Sequence, residues 1–313
     1  MLKNKLINAL LILSLIVPFM GTKSVSAAGN NNGICNGPDD VVNILVIGTD
    51  TRSVGYLYGL ADTIMVFRVD FQNQTVNVIG FPRDLWVVIP DVEEDNGRTH
   101  GKLNQAYHFG TEGMGYYSGT GYGAGLMAAT MEYNWGLEID HYIVINMRTF
   151  RDVIDVLGGI EVYNPSPVYS FQQKNQPKVL AGGYFFSGQD ALLYARYRDP
   201  RNVNDRVDRH AIIMKGIFKQ IFSISTIPKI PEIIGLYKGN VLTDMHLAEI
   251  SQFICLAAQM EFEEIQFGRI PKDILYIPDW EGFVWLENEP GTIEGILEDF
   301  QDGHYPYTPA EDN

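Results

Sequence analysis

The chain reads as an α/β protein of layered architecture, and three observations carry that reading. Short apolar runs of strand length, bounded by glycine and proline, fill its first half. Segments with apolar residues at helical spacing then alternate with further strand-like runs. With 313 residues, 46% of them hydrophobic, it can bury a substantial core as one large domain or two small ones.

The N-terminus is set apart from this pattern. Lys3 and Lys5 precede an apolar run from Leu6 to Met20, interrupted by Asn8, Ser14 and Pro18 and followed by the small residues Val25, Ala27 and Ala28. That is the layout of a secretory signal peptide over residues 1–28, cleaved near Ala27 or Ala28, and export follows from it. A retained anchor is the rival reading, but the run would span only about 22 Å of a hydrocarbon core roughly 30 Å thick. A Gly/Asn-rich linker, residues 29–40, leads into the domain.

Val41 to Ile47, ended by Gly48, has the composition of a buried central strand. Thr63 to Val69 and Thr75 to Phe81 are two more strands around a turn at Asp70 to Gln74, and Trp86 to Ile89 suggests a fourth. Gly110 to Gly125 reads as a loop, a flexible lid over a substrate, followed by a helix from Leu126 to Trp135. Its four glycines, Gly119, Gly121, Gly123 and Gly125, follow no strand, so they do not form a dinucleotide fingerprint. Ile143 to Ile145 is a strand, Met147 to Leu157 a helix stopped by Gly158-Gly159, and Ile160 to Tyr163 another strand. Ser187 is placed to cap a helix that runs through Tyr194. Ala211 to Phe222 and Leu247 to Met260 have helical spacing, with Pro228 and Pro231 breaking the connection, and Thr292 to Gln301 is an amphipathic helix. The reading divides the chain into a main domain over 41–262, an extension packed on it over 263–303, and a disordered tail over 304–313.

The formal net charge is −15, and the acidity is concentrated beyond Lys272, where eleven acidic residues meet no Lys or Arg. No broad basic face is available, which argues against a nucleic-acid partner. The six histidines are scattered without zinc-ligand spacing. Cys35 and Cys255 allow one disulfide in an oxidising compartment or two free thiols.

Against this background Arg196, Arg198, Arg201, Arg206 and Arg209 fall within fourteen residues. Guanidinium forks suit phosphate oxygens, but Asp199, Asp205 and Asp208 are interleaved, so surface ion pairing competes with anion binding as an account of the segment. Asp50 and Asp62 both lie where strands meet loops, a placement open to Mg²⁺ coordination or to simple turn formation. Pro82-Arg83-Asp84 and Lys102-Leu103-Asn104 add two cations, a carboxylate and an amide. Carboxylates and cations arriving from separate strand ends are what a pyrophosphate bridged by Mg²⁺ requires.

The same residues resemble the LytR-CpsA-Psr family. Asn43 through Arg52 (NILVIGTDTR), Ala61-Asp62-Thr63-Ile64-Met65, Pro82-Arg83-Asp84, Lys102-Leu103-Asn104, Asp140-His141-Tyr142, Leu157-Gly158-Gly159-Ile160, Gly188 through Leu192 (GQDAL) and Tyr194 through Arg198 (YARYR) occur in the family's order, over roughly Val41 to Ala258. The resemblance implies a mixed, twisted central sheet flanked by helices, with a hydrophobic pocket for a polyprenyl tail. It implies a phosphotransferase outside the cell membrane of a bacterium, moving a glycopolymer such as teichoic acid or capsule from a polyprenyl pyrophosphate carrier to a hydroxyl of peptidoglycan or another acceptor. Peripheral membrane contact follows if the N-terminus is cleaved. Two other functions remain open beside it, a non-catalytic polyprenyl-phosphate-binding envelope protein and a pyrophosphate hydrolase.

Carried onto matching positions, Asp50 and Asp62 become Mg²⁺ ligands, and Asp62, Arg83 and Arg198 become the catalytic set, with the general base left unassigned and Asp62 its leading candidate. Arg52, Arg83, Lys102, Asn104, Arg196, Arg198, Arg206, Arg209 and His210 become the pyrophosphate-binding set. The chain departs from the family's pattern at Leu60, where an arginine is usual, and at His210, where a glutamine is usual. His210 is expected to donate to phosphate, more strongly once protonated.

Overall fold

The computed structural model describes residues 41–52, 57–90, 92, 100–169, 175–197, 205–223, 240–260, 265–279 and 283–304. The signal peptide, the linker, Arg198, Arg201, Pro228 and Pro231 lie outside the described residues, as does nearly all of the tail.

Among the described residues, six strands form one mixed sheet in the order β10-β3-β2-β1-β6-β9. β1 (Val41–Thr49) lies between β2 (Ala61–Asp70), antiparallel to it, and β6 (His141–Asn146), parallel to it. β3 (Thr75–Gly80) continues antiparallel from β2, β10 (Ile265–Arg269) runs parallel to β3, and β9 (Val241–Thr243) closes the other edge. The expected α/β architecture with a sheet of mixed direction is therefore present. β1 is apolar on both faces because both are covered: Leu45 and Ile47 point to one side, Val42 and Ile44 to the other.

Leu45, Ile47, Ile64, Val66 and Ile79 meet α1 (Leu103–Phe109), α2 (Tyr122–Trp135) and α7 (Thr292–Gln301) in the larger core. On the opposite face Val42, Ile44, Met65, Phe67 and Val78 pack against α5 (Asp205–Ile221) and α6 (Leu247–Gln259). A third cluster joins α3 (Met147–Leu157), α4 (Gly188–Arg196) and the hairpin of β7 (Ile160–Asn164) and β8 (Gly182–Phe186) to the flank of α5. Ser187 caps α4 as expected, its hydroxyl accepting from the Asp190 N–H at 3.2 Å.

Two boundaries differ from the sequence reading in ways that matter for the site. β2 begins at Ala61, so Asp62 belongs to the strand, and α5 begins at Asp205, so Arg206, Arg209 and His210 ride on its first turns. The loop expected over Gly110 to Gly125 ends earlier, with α2 starting at Tyr122. β5 (His100–Lys102) pairs with β4 (Trp86–Val88) and leads straight into α1. Short strands β11 (Leu275–Tyr276) and β12 (Leu286–Glu287) precede α7. Cys255 on α6 is disulfide-bonded, and the chain's other cysteine, Cys35, lies outside the described residues. Among the described residues no helix is long and apolar enough to cross a membrane.

Candidate functional site

The site is built where β1 and β2 stop pairing. Gly48 pairs with Thr63 and Thr49 with Ala61, so Asp62 is the extra residue of a β-bulge. A bulge re-aims the side chain it carries. Here it turns the Asp62 carboxylate toward two guanidiniums: Oδ1 accepts from Arg83, and Oδ2 lies 3.0 Å from Arg206. Asp50 continues from the end of β1. Its N–H donates to the Leu60 carbonyl at 3.1 Å, and its Oδ1 accepts the Leu60 N–H at 3.0 Å. A Cβ on Gly59 would stand 2.4 Å from that Oδ1, so glycine leaves the carboxylate its cradle.

Arg83 comes from the loop after β3, and that loop is clamped through its backbone. The Leu103 and Asn104 N–H groups, which open α1 and have no partner within the helix, donate to the carbonyls of Leu85 and Arg83 at 2.7 and 3.0 Å. From the other side the Trp285 N–H donates to the Asp84 carbonyl, and the Trp86 N–H to the Trp285 carbonyl, both at 2.9 Å. Asp84 then bridges two cations, its Oδ2 lying 3.3 Å from Arg83 Nε and its Oδ1 3.2 Å from Lys102 Nζ. Asp84 enters the sequence reading only as the carboxylate of its motif, with no assigned role, and Trp285 does not enter it. Asp84 was legible in the Pro-Arg-Asp motif, whereas Trp285 has no local signal, because its contact spans the length of the domain.

The remaining cation arrives on α5, which approaches the sheet closely. A Cβ on Gly80 would meet Val207 Cγ1 at 2.5 Å, and Asp208 pairs with Arg269 at the end of β10. Gly48 gives Thr63 its space, and Thr63 Oγ1 lies 3.2 Å from His210 Nδ1. The cluster so formed contains Arg83, Lys102 and Arg206 against Asp62 and Asp84, leaving one positive charge in excess.

Electrostatics follow from the partners. Burial pushes the Asp62 carboxyl up, but Arg206 and Arg83 together outweigh it and hold the pKa below the usual aspartate value. Burial pulls Arg83 down, and Asp62 and Asp84 more than restore it, so it stays charged. His210 goes the other way: burial first, then Arg206 and Arg209, lower its pKa to about 3. Its ring also bonds the Ala195 backbone carbonyl. A neutral ring with one nitrogen donating there leaves the other to accept from the Thr63 hydroxyl.

Two of the residues expected to bind pyrophosphate have partners within the fold. His210 is a neutral bridge among β2, α5 and the end of α4, since burial and two neighbouring arginines oppose the protonated form that would serve a phosphate best. Arg209 is 1% exposed and is committed to the chain itself, donating Nε to the Tyr194 carbonyl at 3.0 Å and Nη2 to the Tyr197 carbonyl while lying over the Tyr194 ring. It satisfies the carbonyl end of α4. Arg52 and Arg196 are exposed, and no ion pair among the described residues draws either into the cluster. The Asn104 side chain is buried beside Arg83, with Oδ1 lacking a hydrogen-bond partner among the described residues.

The donor set suits a hard divalent cation. Two carboxylates come from adjoining strand ends, and each Asp62 oxygen keeps lone-pair capacity beyond its one guanidinium bond. Among the described residues no group of three or more His, Cys, Asp or Glu side chains gathers, so a cation here would draw the rest of its shell from substrate oxygens and water.

The family model described as the LytR_cpsA_psr family matches residues 21–292. The chain is similar to an Oceanobacillus iheyensis protein named polyisoprenyl-teichoic acid-peptidoglycan teichoic acid transferase TagU, being 32% identical over 222 residues that cover 69% of this chain and 62% of that one. The match thus spans less than two thirds of that relative's length. In fold it is similar to the crystal structure of B. subtilis TagV, with a TM-score of 0.63, 24% identity and coverage of 86% of this chain and 99% of that one. A Streptococcus agalactiae protein gives a TM-score of 0.67 at 18% identity, over 87% and 94% of the two chains.

Proposed function

The chain belongs to the LytR-CpsA-Psr family, and from that premise we propose that it transfers a glycopolymer phosphate from a polyprenyl pyrophosphate carrier to a hydroxyl of peptidoglycan. The observation that carries the reading is the joint ion-pair cluster of Asp62, Arg83, Asp84, Lys102 and Arg206, assembled from four separate parts of the fold. The relative named as a transferase of polyisoprenyl-linked teichoic acid to peptidoglycan supports the same class of donor and acceptor.

In this reaction the acceptor oxygen bonds to the glycan-bearing phosphorus, the bond to the bridging oxygen breaks, and polyprenyl phosphate leaves with the electron pair. Arg83 and Arg206 present guanidinium forks to the phosphate oxygens, where charge builds as the bond opens, and a cation of this kind contributes roughly 10³ to 10⁵ in rate in related phosphoryl transfers. Lys102 and Asp84 hold Arg83 in position. Mg²⁺ on Asp50 and Asp62 supplies charge neutralisation at the diphosphate when bound. Asp62, with its depressed pKa, is a poor proton acceptor, so its task in this reading is to orient arginines and cation. A loose phosphoryl transition state asks little of a base, and the acceptor proton passes to solvent. Arg198 and Arg196 extend the clamp, the isoprenoid tail lies in a hydrophobic pocket of the same domain, and the exported enzyme meets its carrier by peripheral contact with the membrane.

The test is incubation of the purified chain with a polyprenyl-pyrophosphate glycan, Mg²⁺ and peptidoglycan. Covalently attached glycan phosphate is expected, and Asp62→Ala, Arg83→Ala or Arg206→Ala should lower its formation at least about 10²-fold. Free glycan phosphate in place of attached glycan would make the protein a pyrophosphate hydrolase. Tight binding of the carrier with no turnover would make it a binding protein.

A further inference from the structure

We infer that Arg206, together with Arg83, makes cation binding at Asp62 conditional on the diphosphate: the arginines occupy the carboxylate until phosphate oxygens draw them away. The inference rests on the diphosphate reading of this site and adds an order to it.

In the structure each oxygen of Asp62 already accepts a guanidinium, Oδ1 from Arg83 and Oδ2 from Arg206 at 3.0 Å. The side chains of Asp62 and Arg206 are 16% and 14% exposed, so solvent screens their charges only in part. A divalent cation approaching Asp62 would meet two positive groups at the same carboxylate, and like charges disfavour it there. A diphosphate changes both terms. Its oxygens are better partners for a planar fork than one carboxylate shared between two forks, and its own charge offsets the cation.

The two arginines are held differently, which suits an exchange of partners. Arg83 keeps a second bond, from Nε to Asp84 Oδ2 at 3.3 Å, and Asp84 is itself held by Lys102 at 3.2 Å. Arg83 can therefore turn one nitrogen toward phosphate while remaining anchored. Arg206 stands on the first turn of α5, whose backbone is fixed against Gly80 through Val207, so its movement is confined to the side chain. By linkage, the factor by which diphosphate raises cation affinity is also the factor by which cation raises diphosphate affinity.

The experiment measures Mn²⁺ binding to the full chain by the loss of its free electron-paramagnetic-resonance signal, with no diphosphate present. Arg206→Gln should bind Mn²⁺ about tenfold or more tightly than the unsubstituted protein, a coupling of ordinary size, whereas Lys102→Gln, which removes a cation bonded to Asp84, should stay within about threefold. Circular dichroism checks that each variant is folded. Equal Mn²⁺ affinity in Arg206→Gln and the unsubstituted protein, or none in either, overturns the inference, and so does an equal gain in Lys102→Gln, which would reduce the effect to general charge. A second arm follows geranyl diphosphate binding by calorimetry in EDTA, where binding by the unsubstituted protein is expected. Its absence would overturn the diphosphate reading itself, and with it the inference. Diphosphate binding with no Mn²⁺ gain in Arg206→Gln would overturn the inference alone.

Discussion

His210 links three elements through one ring, taking a hydrogen bond from Thr63 and giving one to Ala195. That role sets a pH dependence with a definite sign. The folded protein holds the ring at a pKa of about 3, below its ordinary 6.5, so beneath pH 6.5 the unfolded chain binds a proton that the folded chain refuses. The contribution to stability is complete above pH 6.5 and is lost as the pH falls toward 3, at a rate of up to about 1.4 kcal/mol per unit. His210→Gln keeps an acceptor and a donor without the titration. Urea unfolding at pH 7.5 and pH 5 should show the unsubstituted protein losing about 1 to 2 kcal/mol more than this variant on acidification. Equal losses would remove His210 as the source. At this scale the sequence was informative about which residues gather and less so about what each does. Asp62, Arg83, Lys102 and Arg206 were recognisable because charged residues at strand ends are rarely incidental when several share one motif order. Arg209 shows the limit, because an arginine bonded to backbone carbonyls has the same one-letter signature as one facing phosphate.

At the level of elements, the decisive fact is how near α5 comes to the sheet. Gly80 is the point of contact, with Val207 Cγ1 where its Cβ would be, and the Asp208–Arg269 pair fastens the same turn to β10. Gly80→Ala is expected to push this turn outward by a fraction of an ångström or more and to cost about 1 to 3 kcal/mol as overpacking. Arg206 would be carried away from Asp62 with it. Diphosphate affinity should therefore fall more than about tenfold, against little change in a variant of similar stability cost on the far flank, such as Ile217→Val. Parallel losses in both would assign the effect to stability alone. The close approach could not be read in advance, since Gly80 ends a strand in the ordinary way and Val207 follows the residues that lie outside helical periodicity. The three strands at the start, by contrast, were evident as short apolar runs bounded by glycine and proline, and Ser187 announced its helix through a capping position that has few other uses.

For the whole molecule, residues beyond position 262 are part of the same body as the site. β10 supplies an edge of the central sheet, Ile293, Leu297 and Phe300 enter the larger core, and Trp285 braces the Arg83-Asp84 loop. The sequence reading has this stretch as an extension packed on the main domain, beyond the motifs that end near Ala258. Its apolar face at i, i+3, i+4 and i+7 was the signal that it packs, and the acidic residues lie on the outside of α7, where composition says nothing about burial. A chain ending at Gln259 should fail to fold, since it leaves the β3 edge unpaired and removes those three fully buried side chains; a cooperative thermal transition in that fragment would contradict this.

The unpaired position in β2 has a genetic corollary. Remove Asp62 alone, and Thr63 opposite Gly48 is followed directly by Ala61 opposite Thr49, which is an uninterrupted antiparallel ladder. A single in-frame codon loss would thus be invisible to the sheet, and the shortened chain should melt within a few degrees of its parent while losing divalent-ion binding and turnover. In this architecture the capacity to fold and the capacity to act are separable by three nucleotides.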